Sequence, residues 1–391
     1  MTTAADIPDS IGVAAMPQRI GIDIHTIGQR QTGNETYMRN LVEHLSAMES
    51  PETELFLYHT LQAKALPANA WRANLRKVWP HSPFVRIPFS FPLLLQRDQI
   101  DLAHFQYVTP PFCPCPTVVT IHDISYEFFP EYFHPLARAR MKMLIPGSAR
   151  RATRVLTGSE FSKREIVDTY RIPEEKISVT HYGVAESFKV ISDQAELDRV
   201  LQRFGIRQPF ILGVGNLQPR KNLQRLLRAY AALRADKAID FDLVLVGQMA
   251  WKAESILEDI DRLGLAGSVS VTGYVSNEEL VCLYNRAQIF VYPSLYEGFG
   301  LPIIEAMACG TPVITSDVSS LPEVGGDAAI FVNPQDHKAI ADAIKRLADD
   351  SALREQLREK GLRRASEFTW RRIAEQTATI YRQCLNGLAI I

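Results

Sequence analysis

The feature of the sequence that most constrains the fold is a regular alternation of short apolar runs and longer amphipathic stretches. In the first half, runs typical of buried strands are RIGIDIHT, ELFLYHT, DLAHFQY, TVVTIHD and RVLTGS. Stretches with helical periodicity separate them, for example GNETYMRNLVEHLSAM. Because parallel neighbours in a sheet need a long crossover, usually a helix, this alternation predicts βαβ units and a parallel sheet.

The alternation occurs twice, and this predicts two domains. The polar residues 187–207 contain no strand pattern, and a second series follows them: FILGVGN, DLVLVGQ, SVSVTGY, IFVYPS and PVITSD. A chain of 391 residues is also too long for one ordinary core. We therefore expect an α/β protein with two doubly wound, Rossmann-like parallel sheets that face a central cleft. The predicted parts are a loose tail (1–18), a first domain (19–190), a second domain (191–370) and a C-terminal helix (371–391) that packs on the second domain or crosses back to the first.

Composition and charge argue against several classes of protein. Hydrophobic residues make up 46% of the chain and charged residues 22%, which is typical of a globular protein. The formal net charge of -1 argues against general binding of nucleic acid. The five cysteines match no zinc pattern. We expect neither a secretory leader nor a membrane-spanning run, and therefore a cytoplasmic protein with reduced cysteines.

Two adjacent cations follow the first strand of the second series. The strand is predicted to end at Gly215, and Arg220 and Lys221 lie in the loop before a helix that begins near Asn222. Arginine offers a planar fork, lysine a point charge, and a helix N-terminus free N–H groups, so this loop predicts an anion site. A diphosphate is the obvious ligand. The alternative is a solvated basic pair.

Two glutamates flank a glycine-rich turn in the stretch YEGFGLPIIEAMACG. Glu297 follows the strand IFVYPS at a loop tip, and Glu305 lies on the second turn of the next predicted helix. Carboxylates accept hydrogen bonds from vicinal sugar hydroxyls. The pattern favours one glutamate for a transferred sugar and the other for the ribose of a nucleotide. The alternatives are a helix-surface charge for Glu305 and a loop charge or helix-dipole partner for Glu297.

Two other classes of protein share this α/β organisation. A nucleotide-dependent oxidoreductase would carry the fingerprint G-x-G-x-x-G, but GVGNLQ has Gln218 in its last position. A non-catalytic binding protein with two domains would not need both the cation pair and the glutamate pair.

Several segments together resemble the retaining family 4 glycosyltransferases, which have the GT-B fold. The segments EGFGLPIIEAMACGTPV, NLQPRKN, LTGSEFSKREI, VTHYGV and SLPEVGGDAAIFVNP look like family segments in the family's order, and the resemblance spans roughly residues 19–385. The segment IHDISYEFFPEYF looks most like bacterial mannosyltransferases of surface-polysaccharide assembly.

The resemblance implies transfer of a sugar from a nucleotide diphosphate sugar to an acceptor hydroxyl, with retention of configuration. No D-x-D motif that would hold a metal ends a predicted strand, so we expect neither a metal nor a cofactor. It implies four catalytic residues: Glu297 on the sugar hydroxyls, His122 meeting the sugar from across the cleft, and Arg220 and Lys221 on the leaving diphosphate. A histidine that merely caps a strand is the alternative for His122. The donor-binding residues implied are Gly33, Gly215, Asn216, Arg220, Lys221, Gly298, Phe299, Gly300, Leu301 and Glu305.

One segment departs from the family's pattern. In QTGNETYMRNL, Gly33 matches, but Glu35 stands where relatives often have a second glycine. A carboxylate beside a diphosphate would be unfavourable unless it faces the acceptor.

The donor and acceptor are less constrained than the reaction. We favour GDP-mannose as donor and a glycan or lipid-linked acceptor; the alternatives are a UDP-sugar donor or a GT-B-type sugar-nucleotide epimerase. Residues 134–154, HPLARARMKMLIPGSARRATR, contain six cations and no acid, mixed with Leu, Met and Ile. This stretch is either a solvated helix face or a peripheral docking site on the anionic inner face of a membrane.

Overall fold

A computed structural model describes residues 16–28, 32–48, 52–60, 66, 69–248 and 254–387. Most of the predicted tail, residues 1–18, lies outside the described residues, and the first strand already begins at Gln18. Within the described part of the chain, every helix is too short or too polar to span a bilayer.

The first domain is a seven-stranded parallel sheet in the order β3-β2-β1-β4-β5-β6-β7. Its strands are β1 (Gln18–Asp23), β2 (Thr53–His59), β3 (Asn74–Lys77), β4 (Leu102–Gln106), β5 (Thr117–Thr120), β6 (Arg154–Thr157) and β7 (Ile177–Val179). Its helices are α1 (Thr32–Ala47), α2 (Pro83–Val85), α3 (Phe91–Arg97), α4 (Ser125–Phe128), α5 (Pro135–Arg151) and α6 (Glu160–Tyr170).

The second domain is a six-stranded parallel sheet in the order β10-β9-β8-β11-β12-β13. Its strands are β8 (Phe210–Val214), β9 (Asp242–Val246), β10 (Val269–Gly273), β11 (Ile289–Tyr292), β12 (Val313–Ser316) and β13 (Ala329–Val332). The remaining helices are α7 (Gln194–Phe204), α8 (Leu223–Ala235), α9 (Glu254–Arg262), α10 (Asn277–Arg286), α11 (Leu301–Ala308), α12 (Leu321–Gly325), α13 (His337–Asp349), α14 (Ser351–Ser366) and α15 (Trp370–Asn386).

Three strands that the sequence did not predict, β3, β7 and β13, each lie at the edge of a sheet. An edge strand is covered less completely than a central one, so its sequence need not be a continuous apolar run. The segment NLRK of β3 illustrates this, because its residues alternate between half-buried and exposed.

Each sheet reverses its strand order at one place, which positions the site. The reversal falls between β1 and β4 in the first sheet and between β8 and β11 in the second. Open parallel sheets bind ligands outside the carboxyl ends of the strands at such a switch point. The loops after these four strands are therefore the places where a binding site is expected.

The last helix returns to the first domain. Helix α15 packs against α1, and the Tyr381 hydroxyl lies 2.5 Å from Nδ1 of His104 in β4. The other ring nitrogen of His104 lies 2.7 Å from Oγ1 of Thr120. Burial lowers the pKa of His104 to about 3, so the ring is neutral and both its nitrogens are satisfied.

A carboxylate of the second domain also caps a helix of the first. Glu323 in α12 accepts hydrogen bonds from the backbone amides of Glu160 (2.9 Å) and Phe161 (3.2 Å) at the start of α6. It is also bonded to Nε2 of His181, at 2.8 Å. Free N–H groups and the positive end of the helix dipole favour an anion here, so this contact stabilises the approach of the two domains.

The bond between the last helix and β4 can be tested with Tyr381→Phe. Removing the hydroxyl leaves one nitrogen of the buried His104 without its partner, which should cost about 1–3 kcal/mol of stability. We expect a lower melting temperature in differential scanning calorimetry. Tyr274→Phe is the matched control, because the Tyr274 side chain is exposed. Equal melting temperatures for Tyr381→Phe and the wild type would contradict a stabilising role for this bond.

Candidate functional site

Two cations and one carboxylate form a buried ion cluster at the switch point of the second sheet. Nη1 of Arg220 lies 2.9 Å from Oε2 of Glu297, and Nζ of Lys221 lies 2.7 Å from Oε1 of the same carboxylate. The three side chains are 17%, 11% and 10% exposed, respectively. The structure thus brings together the predicted cation pair and the first predicted glutamate.

The loop conformations follow from a few local bonds. Asn222 adopts a left-handed conformation (φ 60°) just before α8, and its Nδ2 donates to the carbonyls of Pro293 (2.9 Å) and Pro334 (2.7 Å). The amide of Leu295 donates to the carbonyl of Arg220, at 2.9 Å. These bonds tie the loop after β8 to the loop after β11, and so hold the cations beside the carboxylate.

The cluster is charged at neutral pH. Burial favours the neutral acid, but the charges of Arg220 and Lys221 outweigh it and lower the pKa of Glu297 to about 2. Burial lowers the pKa of Lys221 to about 8, and the charge of Glu297 opposes that shift. The cluster therefore carries one more positive than negative charge near pH 7, and that surplus is suited to an anion.

Glu305, the second predicted glutamate, has a different environment. It lies half-buried in α11 and accepts a hydrogen bond from the Tyr284 hydroxyl, at 3.3 Å. Burial raises the pKa of its carboxyl to about 7. Among the described residues no ion pair is formed by Glu305, so it does not join the ion cluster. Its assignment to the ribose stays a prediction.

The turn after Glu297 forms a close contact between the domains. The carbonyl of Gly298 accepts hydrogen bonds from Oγ of Ser159 (2.7 Å) and Oγ of Ser162 (3.1 Å), both in the first domain. A Cβ atom on Gly298 would lie 2.2 Å from the carbonyl oxygen of His122. Only glycine therefore allows this approach.

The neighbouring turn residues have structural tasks of their own. Phe299 is buried, and its ring centroid lies 5.0 Å from that of Tyr182 in the first domain. Gly300 has φ 111°, in a region that favours glycine, and precedes Leu301, the first residue of α11. Backbone contacts of these residues with a donor stay a prediction.

His122 lies after β5 at the carboxyl edge of the first sheet. Its Nδ1 is 2.5 Å from the hydroxyl of Tyr182, and its Nε2 is 2.7 Å from Oε1 of Gln106. Burial lowers the pKa of His122 to about 3. Both ring nitrogens thus already have protein partners. Contact of His122 with the transferred sugar stays a prediction, and the strand-capping alternative remains open.

The predicted glycine loop of the first domain leads into α1. Gly33 occupies the first turn of α1 and is exposed. Glu35 accepts hydrogen bonds from the amide of Gly28 (2.7 Å) and from Nη2 of Arg39 (3.1 Å). Its carboxylate is therefore not a free charge facing a diphosphate, which removes the repulsion that the sequence suggested.

The last two predicted donor residues follow β8. Gly215 has φ 142°, and its amide donates to the carbonyl of Val246, at 2.9 Å. Asn216 is half-buried beside it. Their position at the switch point agrees with a donor-side location, while their contacts with a donor stay a prediction.

Sequence reasoning missed two residues of the cluster's surroundings. Oγ of Ser294 donates to Oε1 of Glu297, at 2.6 Å. Asp123, from the first domain, interacts electrostatically with both Arg220 and Lys221 across the cleft. The signal for Asp123 was its place at the end of TVVTIHD. No group of three or more His, Cys, Asp or Glu within the described ranges is arranged to hold a metal ion.

Two family models match the chain. The model described as Glycosyl transferases group 1 matches residues 196–364, and the model described as Glycosyltransferase Family 4 matches residues 32–188. Together the two matches cover both domains.

The chain is similar to two named proteins of Escherichia coli. It is 39% identical to O-antigen chain mannosyltransferase B over 68% of this chain and 70% of that protein. It is 32% identical to the serotype-specific mannosyltransferase WbdA over 56% of this chain, but the match spans only 27% of WbdA.

A solved structure supports the predicted architecture. The sucrose-phosphate synthase of Thermosynechococcus elongatus has a TM-score of 0.76 with this chain at 22% identity, over 95% of this chain and 100% of that one. The two facing sheets are the GT-B fold that the sequence predicted.

Gly298→Ala tests whether the close contact with His122 holds the domains together. The added methyl would lie 2.2 Å from a backbone oxygen, so the domains must separate. We expect a larger radius of gyration in solution scattering and slower glycosyl transfer. Gly267→Ala is the matched control, because nothing lies within 4 Å of a Cβ there. An unchanged radius of gyration and rate for Gly298→Ala would contradict the contact.

Proposed function

The chain belongs to the glycosyltransferase family described by these two models, and from that premise we propose that it transfers mannose from GDP-mannose to a glycan or lipid-linked acceptor, with retention of configuration. The single observation that supports a nucleotide diphosphate donor best is the buried cation pair Arg220 and Lys221, held at the second switch point by one carboxylate. A pair of this kind matches the two negative charges of a diphosphate.

In the proposed reaction, donor binding exchanges one anion for another. The diphosphate takes the place of the Glu297 carboxylate on Arg220 and Lys221, and Glu297 turns to the sugar hydroxyls. The free N–H groups at the start of α8 add to the field, because no side chain caps this helix among the described residues. The cations then stabilise the diphosphate as it leaves.

The proposed route uses the front face of the sugar. The acceptor oxygen forms its bond to the anomeric carbon on the side from which the diphosphate leaves. The bond to the phosphate oxygen breaks, and that oxygen takes the acceptor proton. Catalysis then depends on positioning and on electrostatic stabilisation of the leaving group, with no requirement for a metal.

The names of the relatives support mannose as the sugar, and a UDP-sugar is the alternative donor. Calorimetric titration with a panel of sugar nucleotides separates the two. We expect binding of GDP-mannose, and product formation in excess EDTA when an acceptor is added. Turnover without an acceptor would instead indicate an epimerase, and loss of activity on chelation would contradict the metal-independent route.

Lys221→Ala tests the proposed diphosphate site. Loss of one preorganised electrostatic partner should reduce kcat/KM by about 10²- to 10³-fold, or roughly 3–4 kcal/mol of transition-state stabilisation. Lys345→Ala is the matched control, since Lys345 pairs with Asp349 on the surface of α13. Glu297→Gln should impair transfer as strongly, and it keeps a side chain of the same length with one hydrogen-bond acceptor beside the two cations. Normal turnover of Lys221→Ala or of Glu297→Gln would overturn the site assignment.

We further propose that residues 134–154 dock on an anionic phospholipid bilayer. Most of them form α5, in which Leu136 and Met143 are 77% and 72% exposed. Arg140 is also exposed, and its guanidinium lies 5.9 Å from the ring centre of Phe84, a residue that is itself 72% exposed. Exposed apolar side chains beside a cation fit the interface of an anionic membrane.

In the structure, several cations of this stretch already have partners within the protein. Lys142 pairs with Glu127 at 2.8 Å, and Nε of Arg138 donates to the carbonyl of Tyr126 at 2.8 Å. The stretch itself contains no acid, but in the folded chain Glu127, which lies outside the stretch, pairs with Lys142. Arg154 belongs to β6 and donates to the carbonyl of Glu175. Arg140 is therefore a better residue than Arg138, Lys142 or Arg154 for testing the docking on a membrane.

The variant Leu136→Ser with Arg140→Gln tests the docking. We expect wild type to sediment with vesicles that contain anionic lipid, and the variant to bind more weakly because it loses apolar and cationic contacts. Binding should weaken as salt rises. Leu257→Ser with Arg371→Gln is the control, because both residues are exposed and lie in the second domain or on α15. Equal sedimentation of wild type and the test variant would leave α5 as a solvated helix.

A further inference from the structure

A carboxylate and a histidine form a hydrogen-bonded pair at the switch point of the first sheet. Asp23 is the last residue of β1, and its Oδ2 lies 2.8 Å from Nδ1 of His25. Oδ1 of the same carboxylate accepts the backbone amide of His25, at 3.1 Å. These two bonds fix both the backbone and the ring of His25.

The surroundings keep this carboxylate ionised. Asp23 is buried, which opposes ionisation, but His25 and Arg86 lower the pKa of the carboxyl below its usual value. Arg86 is itself buried, and its Nε has no hydrogen-bond partner among the described residues. Asp23 therefore remains an acceptor that can orient a ring beside it.

The orientation leaves one ring nitrogen available. In the neutral imidazole, Nδ1–H donates to Asp23 and Nε2 carries the lone pair. The His25 side chain is 21% exposed, and within the described ranges Nε2 has no protein partner. Nε2 is thus a partly exposed acceptor whose direction is fixed by a buried carboxylate. Such an atom can accept a hydrogen bond from a ligand hydroxyl.

The pair lies on the edge of the sheet that meets the second domain. Nε2 of Gln106, the last residue of β4, donates to Oγ1 of Thr26 at 2.9 Å. Oε1 of the same Gln106 bonds to His122 at 2.7 Å, and the carbonyl of His122 faces Gly298. Two hydrogen bonds thus connect Thr26, the residue after His25, with His122, whose carbonyl lies close to the turn after Glu297.

We propose that His25, positioned by Asp23, is the acceptor-binding residue of the first domain, and that its Nε2 accepts a hydrogen bond from one hydroxyl of the acceptor sugar. This inference rests on the proposed glycosyl transfer. The contacted hydroxyl is not the attacking one, because the attacking proton goes to the leaving phosphate oxygen. His25 thereby determines which acceptor hydroxyl faces the anomeric carbon, and so the linkage that is formed.

The two switch points then recognise different chemistry. The second holds a buried cation pair suited to the charged diphosphate. The first holds Asp23, a buried carboxylate beside Arg86, and its bond to Nδ1 of His25 leaves Nε2 without a protein partner among the described residues. An uncharged sugar hydroxyl is a suitable partner for such an atom, since unpaired buried polar groups make a site reject ligands that lack the matching hydroxyl.

The test combines His25→Ala with a series of acceptors. The probes are octyl α-mannoside and its four monodeoxy analogues, with GDP-mannose as donor. Against the full acceptor, His25→Ala should lose about 10- to 100-fold in kcat/KM for the acceptor. Wild type should lose the same factor with one deoxy analogue, and His25→Ala should lose nothing more with that analogue. Donor binding by calorimetry should be unchanged.

His44→Ala is the matched control, because His44 lies in the last turn of α1 and its Nδ1 is bonded to the carbonyl of Asn40. It should leave all rates unchanged. If His25→Ala loses the same factor with each analogue that keeps the attacking hydroxyl, or if its rate with the full acceptor equals that of the wild type, His25 does not contact an acceptor hydroxyl and the inference is overturned.

A second measurement separates this inference from the proposed function. If wild type transfers no mannose to octyl α-mannoside, the proposed donor or acceptor is wrong. The NMR signals of the His25 ring nitrogens are assigned as those that are absent from the spectrum of His25→Ala. They are then followed while octyl α-mannoside is added in the presence of GDP. A shift of the Nε2 signal supports acceptor binding at His25, and an unchanged signal overturns it.

Discussion

The site depends on the neutralisation of two buried cations. Arg220 and Lys221 lie side by side at the second switch point, and burial of either charge without a partner would cost several kcal/mol. The loop after β11 must therefore deliver a carboxylate, and Glu297 satisfies both cations at once. The requirement persists when a donor is present. In the proposed reaction a diphosphate meets this requirement, and donor binding then releases the carboxylate for the sugar.

This ion cluster is directly connected to the contact between the domains. Gly298 follows Glu297 in the chain, and its carbonyl accepts two serine hydroxyls of the first domain. Any movement of the Glu297 backbone therefore also shifts Gly298 and its hydrogen bonds with the first domain. Glu323 of the second domain caps α6 of the first domain, the helix that contains Ser162, and so also holds the two domains together. The packing of the two domains and the binding of charge are thus parts of one network.

Central strands, the cation pair and the glutamate pair could be predicted because their signals are local. Runs such as DLVLVGQ are buried on both faces, whereas edge strands such as β3 carry a weak pattern. Partners distant in sequence could not be predicted. The bond between Lys142 and Glu127 and the electrostatic interaction of Asp123 with the cations arise only in the folded chain. The pair of Asp23 and His25 lies within RIGIDIHT, which was predicted as one strand, whereas β1 ends at Asp23 and His25 lies in the turn that follows.

The first sheet obeys the same topological rule as the second, and this gives the acceptor side its physical basis. Both sheets reverse order once, and in each a crevice forms where the two neighbouring strands lead to opposite faces. The crevice of the second sheet contains the buried cation pair Arg220 and Lys221. The crevice of the first sheet contains Gln106, which is bonded to Thr26, and His25, which is bonded to Asp23. These groups form hydrogen bonds without a surplus of charge. In the proposed reaction, charge selects the diphosphate on one side, and hydrogen-bond geometry selects a sugar hydroxyl on the other. Because the turn at Gly298 connects the two domains, we propose that it also brings the two reactants together.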